Sequence, residues 1–178
     1  VVDLAKCLVA MGARISGAGT GQIEIEGVAR LSGADHRVAP DRIEAGTYLA
    51  AAAATGGQIQ LGGIETRLLD AVLAKLDAMG ASIRIDQDTI ALSMDGCRLQ
   101  AVDLKTQPFP GFPTDLQAQF MLLNSIAEGA ATVTESIFES RFMHVQELQR
   151  MGADIELRGN TALVRGGKNL SEVSYFLF

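Results

Sequence analysis

Hydrophobic residues along this chain follow two spacings, one of three to four residues and one of two residues. These are the periods of an amphipathic helix and of a half-buried strand. Helical spacing occurs in five segments, each followed within a few residues by a glycine that can end a helix: 4–11, 48–54, 69–76, 116–123 and 142–148. Strand-like alternation occurs in 14–16, 22–28, 58–61, 82–85, 89–93, 102–105, 132–134, 155–157 and 162–164. The pattern predicts an α/β fold, with an irregular connection at 29–39.

One junction between a helix end and a strand is repeated three times. The tripeptide Met-Gly-Ala, followed by alternating residues, occurs at 11–13, 79–81 and 151–153. A repeat this long predicts compact α/β units that bury a face together, each with the order strand–helix–strand–helix–strand–strand. Because segment 48–54 is almost wholly apolar, we expect its helix to be covered on every side, with helices inside and sheets outside.

Polar residues at three helix starts are predicted to act as N-caps. Asp41 is followed three residues later by Glu44, which is the spacing of a capping box. Thr66 and Thr114 precede the apolar stripes of two later helices, and Gln117 gives Thr114 the same spacing.

Composition narrows the class of protein. The 178 residues are 48% hydrophobic and 20% charged, which is enough for a packed domain or parts of two. The net charge of −6 argues against a nucleic-acid surface, and the longest apolar run is too short to span a bilayer. Two distant cysteines without metal-ligand spacing are typical of a reduced, cytoplasmic protein.

A proline-rich segment leads into the fourth predicted helix. Three of the chain's four prolines lie between Pro108 and Pro113, directly before Thr114 and Asp115. Such a stiff segment would fix Asp115 on the first helical turn, where the helix dipole and free N–H groups favour an ionised carboxylate. A fixed carboxylate can accept a proton. An acidic residue at a helix start is also a common capping residue, so the pattern leaves both roles open.

The loop 136–144 joins a predicted strand to a predicted helix, a common position for ligand sites. Arg141 in this loop could bind a phosphate or a carboxylate. The alternative is a surface ion pair with Glu135 or Glu139. His36 and His144 are interpreted as packing or surface residues.

Four segments match a known family in long, specific strings: Asp41–Thr47, Phe112–Gln119, Glu139–Val145 and Glu147–Ala153. The chain resembles the UDP-N-acetylglucosamine 1-carboxyvinyltransferases, which are enolpyruvyl transferases, from about Val1 to Lys168. The resemblance implies an inside-out α/β barrel built from repeated βαβαββ units, incomplete here. Residues 1–39 would end one such domain, 40–168 would form two units of a second domain, and 169–178 would be an atypical tail.

The resemblance also implies the reaction and the site. The reaction is enolpyruvyl transfer from phosphoenolpyruvate to the 3-hydroxyl of UDP-N-acetylglucosamine in peptidoglycan synthesis. Asp115 would be the catalytic base, and Thr114, Asp115, Ile137, Phe138 and Arg141 would bind substrate. No metal or cofactor is implied. The alternatives are an enzyme of the 5-enolpyruvylshikimate-3-phosphate synthase type and a non-catalytic remnant of the fold.

Parts of the family pattern are missing from this sequence. The Lys-Asn phosphoenolpyruvate motif, the mobile loop with its cysteine acid and several substrate-binding arginines have no counterpart here. The aromatic-rich ending after Lys168 replaces the expected last unit, which suggests truncation or a change of reading frame; the alternative is a terminal edge strand. We therefore expect the chain alone to be inactive, with the missing remainder of the enzyme as its partner.

Overall fold

The computed structural model describes residues 1–172, which divide into two compact units, Val1–Pro40 and the part beginning at Asp41. The first unit contains helix α1 (Val2–Ala10) and the antiparallel strands β1 (Arg14–Ser16) and β2 (Glu24–Glu26). The helix and the hairpin agree with the sequence prediction, and residues 29–39 form neither helix nor strand. Among residues 1–172, every helix is too short or too polar to cross a membrane.

The second unit contains four helices and seven strands within the described residues. The helices are α2 (Arg42–Ala54), α3 (Asp70–Ala78), α4 (Gln117–Ile126) and α5 (Met143–Arg150). The strands are β3 (Gln58–Leu61), β4 (Ser82–Asp86), β5 (Thr89–Ser93), β6 (Leu104–Lys105), β7 (Ala130–Thr134), β8 (Asp154–Arg158) and β9 (Thr161–Arg165). These elements confirm the predicted α/β class.

The strands form two sheets that enclose two helices. One sheet is antiparallel, in the order β3-β5-β4, and the other has the order β6-β7-β9-β8 with β6 parallel to β7. Helix α2 packs on β3 and β5, α4 packs on β7 and β9, and the two helices pack on each other. The helices thus lie inside and the sheets outside, as expected for each repeat.

The apolar core fills the space between these layers. Phe120 and Leu123 of α4 and Leu49 of α2 are fully buried. Gly46 brings α2 close to the turn that precedes α4, because a Cβ there would lie only 2.4 Å from a methyl of Leu116 in that turn. The prediction that α2 is covered on every side is wrong for the described chain. Tyr48 is 55% exposed, so the face of α2 that carries it is left uncovered by residues 1–172.

Two of the three predicted helix caps are also wrong. The Asp41 side chain accepts hydrogen bonds from the N–H groups of Ile43 (2.7 Å) and Glu44 (3.3 Å), as predicted. Thr66 and Thr114 instead begin short 3₁₀ turns that precede α3 and α4, and neither caps the helix. A 3₁₀ turn lets the chain change direction before the α-helix starts.

Strand β6 is shorter than the predicted 102–105. The N–H and carbonyl groups of Val102 bond to the side chain of Asn124, and Asp103 accepts from the N–H of Thr132 at 2.7 Å. These side-chain bonds replace the first two ladder positions, so a regular parallel pair is left only at Leu104 and Lys105.

The threefold repeat of the sequence is present in the backbone. In all three copies the alanine N–H of Met-Gly-Ala bonds back into the preceding helix, and the glycine has a φ between 99° and 104°. The carbonyl of each methionine then accepts a hydrogen bond from the backbone N–H of a later residue: Ser32, Gln100 or Ser171. The repeat register therefore continues as far as Ser171. The rest of the tail assigned to 169–178 lies outside the described residues from 173 onwards.

Candidate functional site

A buried carboxylate organises the loop that follows β7. Glu135 is 2% exposed and accepts five hydrogen bonds from the described residues. The donors are the hydroxyls of Thr106 (2.7 Å) and Thr114 (2.7 Å), the Gln117 amide (3.3 Å), and the N–H groups of Ile137 (2.8 Å) and Phe138 (3.2 Å). Each Glu135 oxygen thereby receives two or more donors, which satisfies a group that would otherwise be costly to bury.

The pKa of Glu135 lies below its ordinary value as a result. Burial by itself would raise this pKa, because it disfavours the charged form. The hydrogen bonds from Thr106, Thr114, Ile137 and Phe138 favour the charged form and together outweigh burial. Glu135 is therefore ionised at neutral pH, and its hydrogen bonds fix the position of its carboxylate.

We expect Glu135→Gln to lose less stability on acidification than the unmodified chain. An acid whose pKa is lowered on folding stabilises the native state above its ordinary value of 4.5, and that contribution is lost as the pH falls through the folded-state pKa. Urea unfolding of both proteins between pH 7 and pH 3 measures this. The gap in free energy of unfolding should stay constant above about pH 5 and narrow below it. A gap that widens in acid would contradict the lowered pKa.

Thr114, Asp115 and Arg141 form a connected group beside Glu135. The Thr114 hydroxyl donates to Glu135 and accepts from Arg141 Nη1 at 2.9 Å. Arg141 Nη2 donates to Asp115 Oδ1 at 2.8 Å. The side chains of Asp115 and Arg141 are 51% and 41% exposed, so the pair opens to solvent while its support is buried.

Two exposed aromatic rings of this unit lie beside arginines. The Arg141 guanidinium lies 5.2 Å from the centre of the Phe138 ring, and Arg42 lies 5.6 Å from the centre of the Phe109 ring. Both distances fit a cation–π contact. Both rings are more than half exposed, so each presents an apolar surface next to a positive charge.

The structure brings together all five residues that the sequence analysis selected. The contacts of Arg141 and Asp115 differ from those expected. Arg141 pairs with Asp115, so the alternative pairing with Glu135 or Glu139 is wrong. Among the described residues, Asp115 is held by Arg141 and not by the N–H groups of the helix start.

The backbone of Ile137 can contact a ligand only through its carbonyl. Its N–H is already bonded to Glu135, and no group within residues 1–172 donates to its carbonyl. Thr114 is similarly restricted, because its single hydroxyl proton is donated to Glu135.

The sequence analysis did not select three residues of this candidate site: Thr106, Gln117 and Glu135. Thr106 directly follows β6, Glu135 directly follows β7 and Gln117 begins α4, so only the tertiary fold brings them together. The one available signal was an acidic residue at the end of an apolar strand, which is usually interpreted as a solvated strand end.

The histidines and cysteines lie outside this hydrogen-bonded group. His36 contacts Asp3 at 3.2 Å within the first unit. Burial and the charge of Arg141 lower the pKa of His144, which keeps its ring neutral at pH 7. Within residues 1–172, no cluster of three His, Cys, Asp or Glu side chains could hold a metal ion.

Comparison with known proteins gives one consistent family. Residues 1–175 match the family model of EPSP synthase (3-phosphoshikimate 1-carboxyvinyltransferase). The UDP-N-acetylglucosamine 1-carboxyvinyltransferases of Shewanella amazonensis and Xylella fastidiosa are each 57% identical to this chain over 171 residues, which is 96% of it. The chain spans 41% and 40% of the length of these two relatives.

Solved structures agree with the fold. The enolpyruvyl transferase NikO from Streptomyces tendae superposes on 94% of this chain with a TM-score of 0.78 at 26% identity, and the match covers 40% of NikO. An EPSP synthase from Acinetobacter baumannii, 20% identical, superposes on 94% of the chain with a TM-score of 0.62, and the match covers 40% of that enzyme. The architecture is therefore a part of the enolpyruvyl transferase fold, and the chain belongs to the EPSP synthase (3-phosphoshikimate 1-carboxyvinyltransferase) family.

Proposed function

We propose that this chain is part of an enzyme that transfers enolpyruvyl from phosphoenolpyruvate to the 3-hydroxyl of UDP-N-acetylglucosamine, in peptidoglycan synthesis. The observation that carries the proposal is the 57% identity, over 96% of the chain, to curated transferases of that name. Identity to the superposed EPSP synthase structures is 20%, so the shikimate reaction is the weaker candidate.

Asp115 is the proposed base of this reaction. The oxygen of the sugar hydroxyl forms a bond to C2 of phosphoenolpyruvate, its proton passes to the Asp115 carboxylate, and C3 takes up a proton supplied by the remainder of the enzyme. Loss of a proton from C3 then restores the double bond, while the bond from C2 to the phosphate oxygen breaks and the phosphate leaves, taking up a proton. A general base must lie within hydrogen-bond reach of the proton that it takes. The carboxylate is half-exposed and Arg141 binds its Oδ1, which leaves Oδ2 without a hydrogen-bond partner among residues 1–172 and available for that contact.

The neighbouring groups suit a sugar nucleotide. The Ile137 carbonyl can accept a hydrogen bond, and the exposed Phe138 ring can pack on a sugar or a base. Arg141 can bind an anionic group of either substrate through its fork of donors. We propose that Thr114 contributes by accepting a hydrogen bond, since its proton is donated to Glu135.

The unit boundary supports a proposed domain assignment. Residues 1–39 would end one repeat-built domain and residues 40–168 would form two units of another. The remainder of the enzyme would supply the groups that bind phosphoenolpyruvate, and the whole protein would act in the cytoplasm.

We expect the isolated chain to bind UDP-N-acetylglucosamine weakly and to release no phosphate. Among the described residues, this group contains one arginine, and Asp115 already balances its charge. The departing phosphate would therefore lack the preorganised charge that such a transfer needs. Calorimetric titration measures binding, and a phosphate assay with both substrates measures turnover.

Two variants and a second ligand make this test specific. Asp115→Ala should remove the binding of UDP-N-acetylglucosamine. Glu128→Ala is the matched control, because Glu128 is also an exposed carboxylate paired with an arginine, Arg98, at 2.9 Å. Tighter binding of shikimate 3-phosphate would favour the shikimate reaction, and no binding of either ligand would favour a non-catalytic remnant. Phosphate release that depends on both substrates would contradict the expected inactivity.

A further inference from the structure

We propose that Glu135 is a positioning residue, which fixes Asp115, Arg141 and the Ile137–Phe138 backbone in one geometry by acting through Thr114. The proposal rests on the proposed function for its ligand, and on the hydrogen bonds around Glu135 for its geometry.

Glu135 joins three segments of the chain at the site. Its oxygens bind Thr106 at the end of β6, Thr114 in the 3₁₀ turn that carries Asp115, and the N–H groups of the loop that carries Arg141. Gln117 adds a further link, because its amide donates both to Glu135 (3.3 Å) and to the carbonyl of Arg141 (3.4 Å). Removing the carboxylate would take away the acceptor that these donors share, while the pairing of β6 with β7 would keep the strands together.

The Thr114 hydroxyl transmits this constraint to the exposed pair. A hydroxyl has one proton to donate, and here Glu135 receives it at 2.7 Å. The lone pairs of the oxygen are thereby directed away from Glu135, and Arg141 Nη1 donates to this oxygen at 2.9 Å. Because the guanidinium is planar, a bond at Nη1 also fixes Nη2, which donates to Asp115.

The same carboxylate orients the backbone of the loop 136–144. Ile137 and Phe138 both donate their N–H groups to one oxygen of Glu135. Two successive N–H groups on one acceptor fix the peptide planes between them, so the Ile137 carbonyl is held in a defined direction. A buried carboxylate is a costly way to stabilise a fold, and an apolar residue of similar volume often stabilises it as well. This arrangement therefore indicates a role in geometry.

The test compares three variants of the 178-residue chain with a buried-polar control. Glu135→Gln removes the charge, Thr114→Val removes the hydroxyl, and Thr114→Ser restores it. Asn124→Ala is the control, because Asn124 is fully buried and bonded to Val102, away from the site. The readouts are calorimetric affinity for UDP-N-acetylglucosamine and the NMR signals of the Arg141 guanidinium, which resolve separately when its rotation is restricted.

We expect Glu135→Gln and Thr114→Val to weaken binding about tenfold, the worth of one lost charge-assisted bond. Both should also collapse the separate guanidinium signals of Arg141. Thr114→Ser should restore both readouts, and Asn124→Ala should lower thermal stability without changing either. The proposal is overturned if Thr114→Val has the same affinity and the same Arg141 signals as the unmodified chain. This outcome can be read even if Glu135→Gln does not fold. The same loss in Asn124→Ala would overturn the proposal as well.

The two readouts separate this proposal from the proposed function. The unmodified chain could fail to bind UDP-N-acetylglucosamine while the separate Arg141 signals are lost in Thr114→Val and regained in Thr114→Ser. That result supports the positioning role and contradicts the proposed substrate. A chain that binds the sugar nucleotide equally in all variants supports the substrate and contradicts the positioning role.

Discussion

Asp115→Asn is expected to lower kcat by about 10²–10⁴-fold, the usual contribution of a general base. Because we expect the isolated chain to be inactive, the measurement uses a hybrid enzyme. In this hybrid the 171 aligned residues replace the matching segment of the Shewanella amazonensis relative, which is 57% identical there. Asparagine keeps the size of the side chain, and its oxygen can still accept from Arg141, but the amide cannot take up the hydroxyl proton. Phosphate release at saturating substrate measures the effect.

The pattern of kcat and KM identifies the role that Asp115 plays. A base acts in the transition state, so its loss lowers kcat and kcat/KM by the same factor. Glu128→Gln in the same hybrid is the matched control, because Glu128 has the same kind of exposed arginine pair and should leave kcat unchanged. If Asp115→Asn raises KM and leaves kcat within a few-fold of the unmodified hybrid, Asp115 binds substrate and another group takes the proton.

The sequence alone could predict the elements because their signals are local. Each Met-Gly-Ala glycine adopts a positive φ that favours glycine, and the buried stripe of α4 follows helical spacing. The Met-Gly-Ala repeat then predicted that the chain is built from units with the same order of helices and strands. For the same reason Asp115 and Arg141 could be selected as candidates, since each follows a break in the repeat.

The support of the site could not be predicted in the same way. Glu135 depends on donors from positions 106 to 138, and nothing in the local sequence distinguishes it from a solvated strand end. Thr114 has the spacing of a helix cap, but its hydroxyl oxygen accepts from Arg141 and not from a helix N–H, and its proton goes to Glu135. The exposed face of α2 was missed because the hydrophobicity of a segment shows only that its helix can be buried. It does not show which neighbouring elements will cover that helix.

Phe120→Ala is expected to reduce the free energy of unfolding by about 3–5 kcal/mol, the usual cost of truncating a buried aromatic residue. Phe120 is fully buried in α4, and its ring lies 4.8 Å from that of Phe112 in an edge-to-face contact. Phe112 belongs to the segment that leads into Asp115, so the same cavity that destabilises the fold also loosens the chain beneath the acid.

A matched aromatic substitution tests whether burial is the cause. Tyr48→Ala removes a ring of similar size from the neighbouring helix α2, where 55% of the residue is exposed, and should change the free energy by less than about 0.5 kcal/mol. Urea unfolding followed by circular dichroism measures both variants at pH 7. Equal losses would mean that the Tyr48 face is packed in solution, and the layered core described for this unit would then be wrong. A small loss in Phe120→Ala with a large loss in Tyr48→Ala would reverse the assignment of inside and outside for α2 and α4.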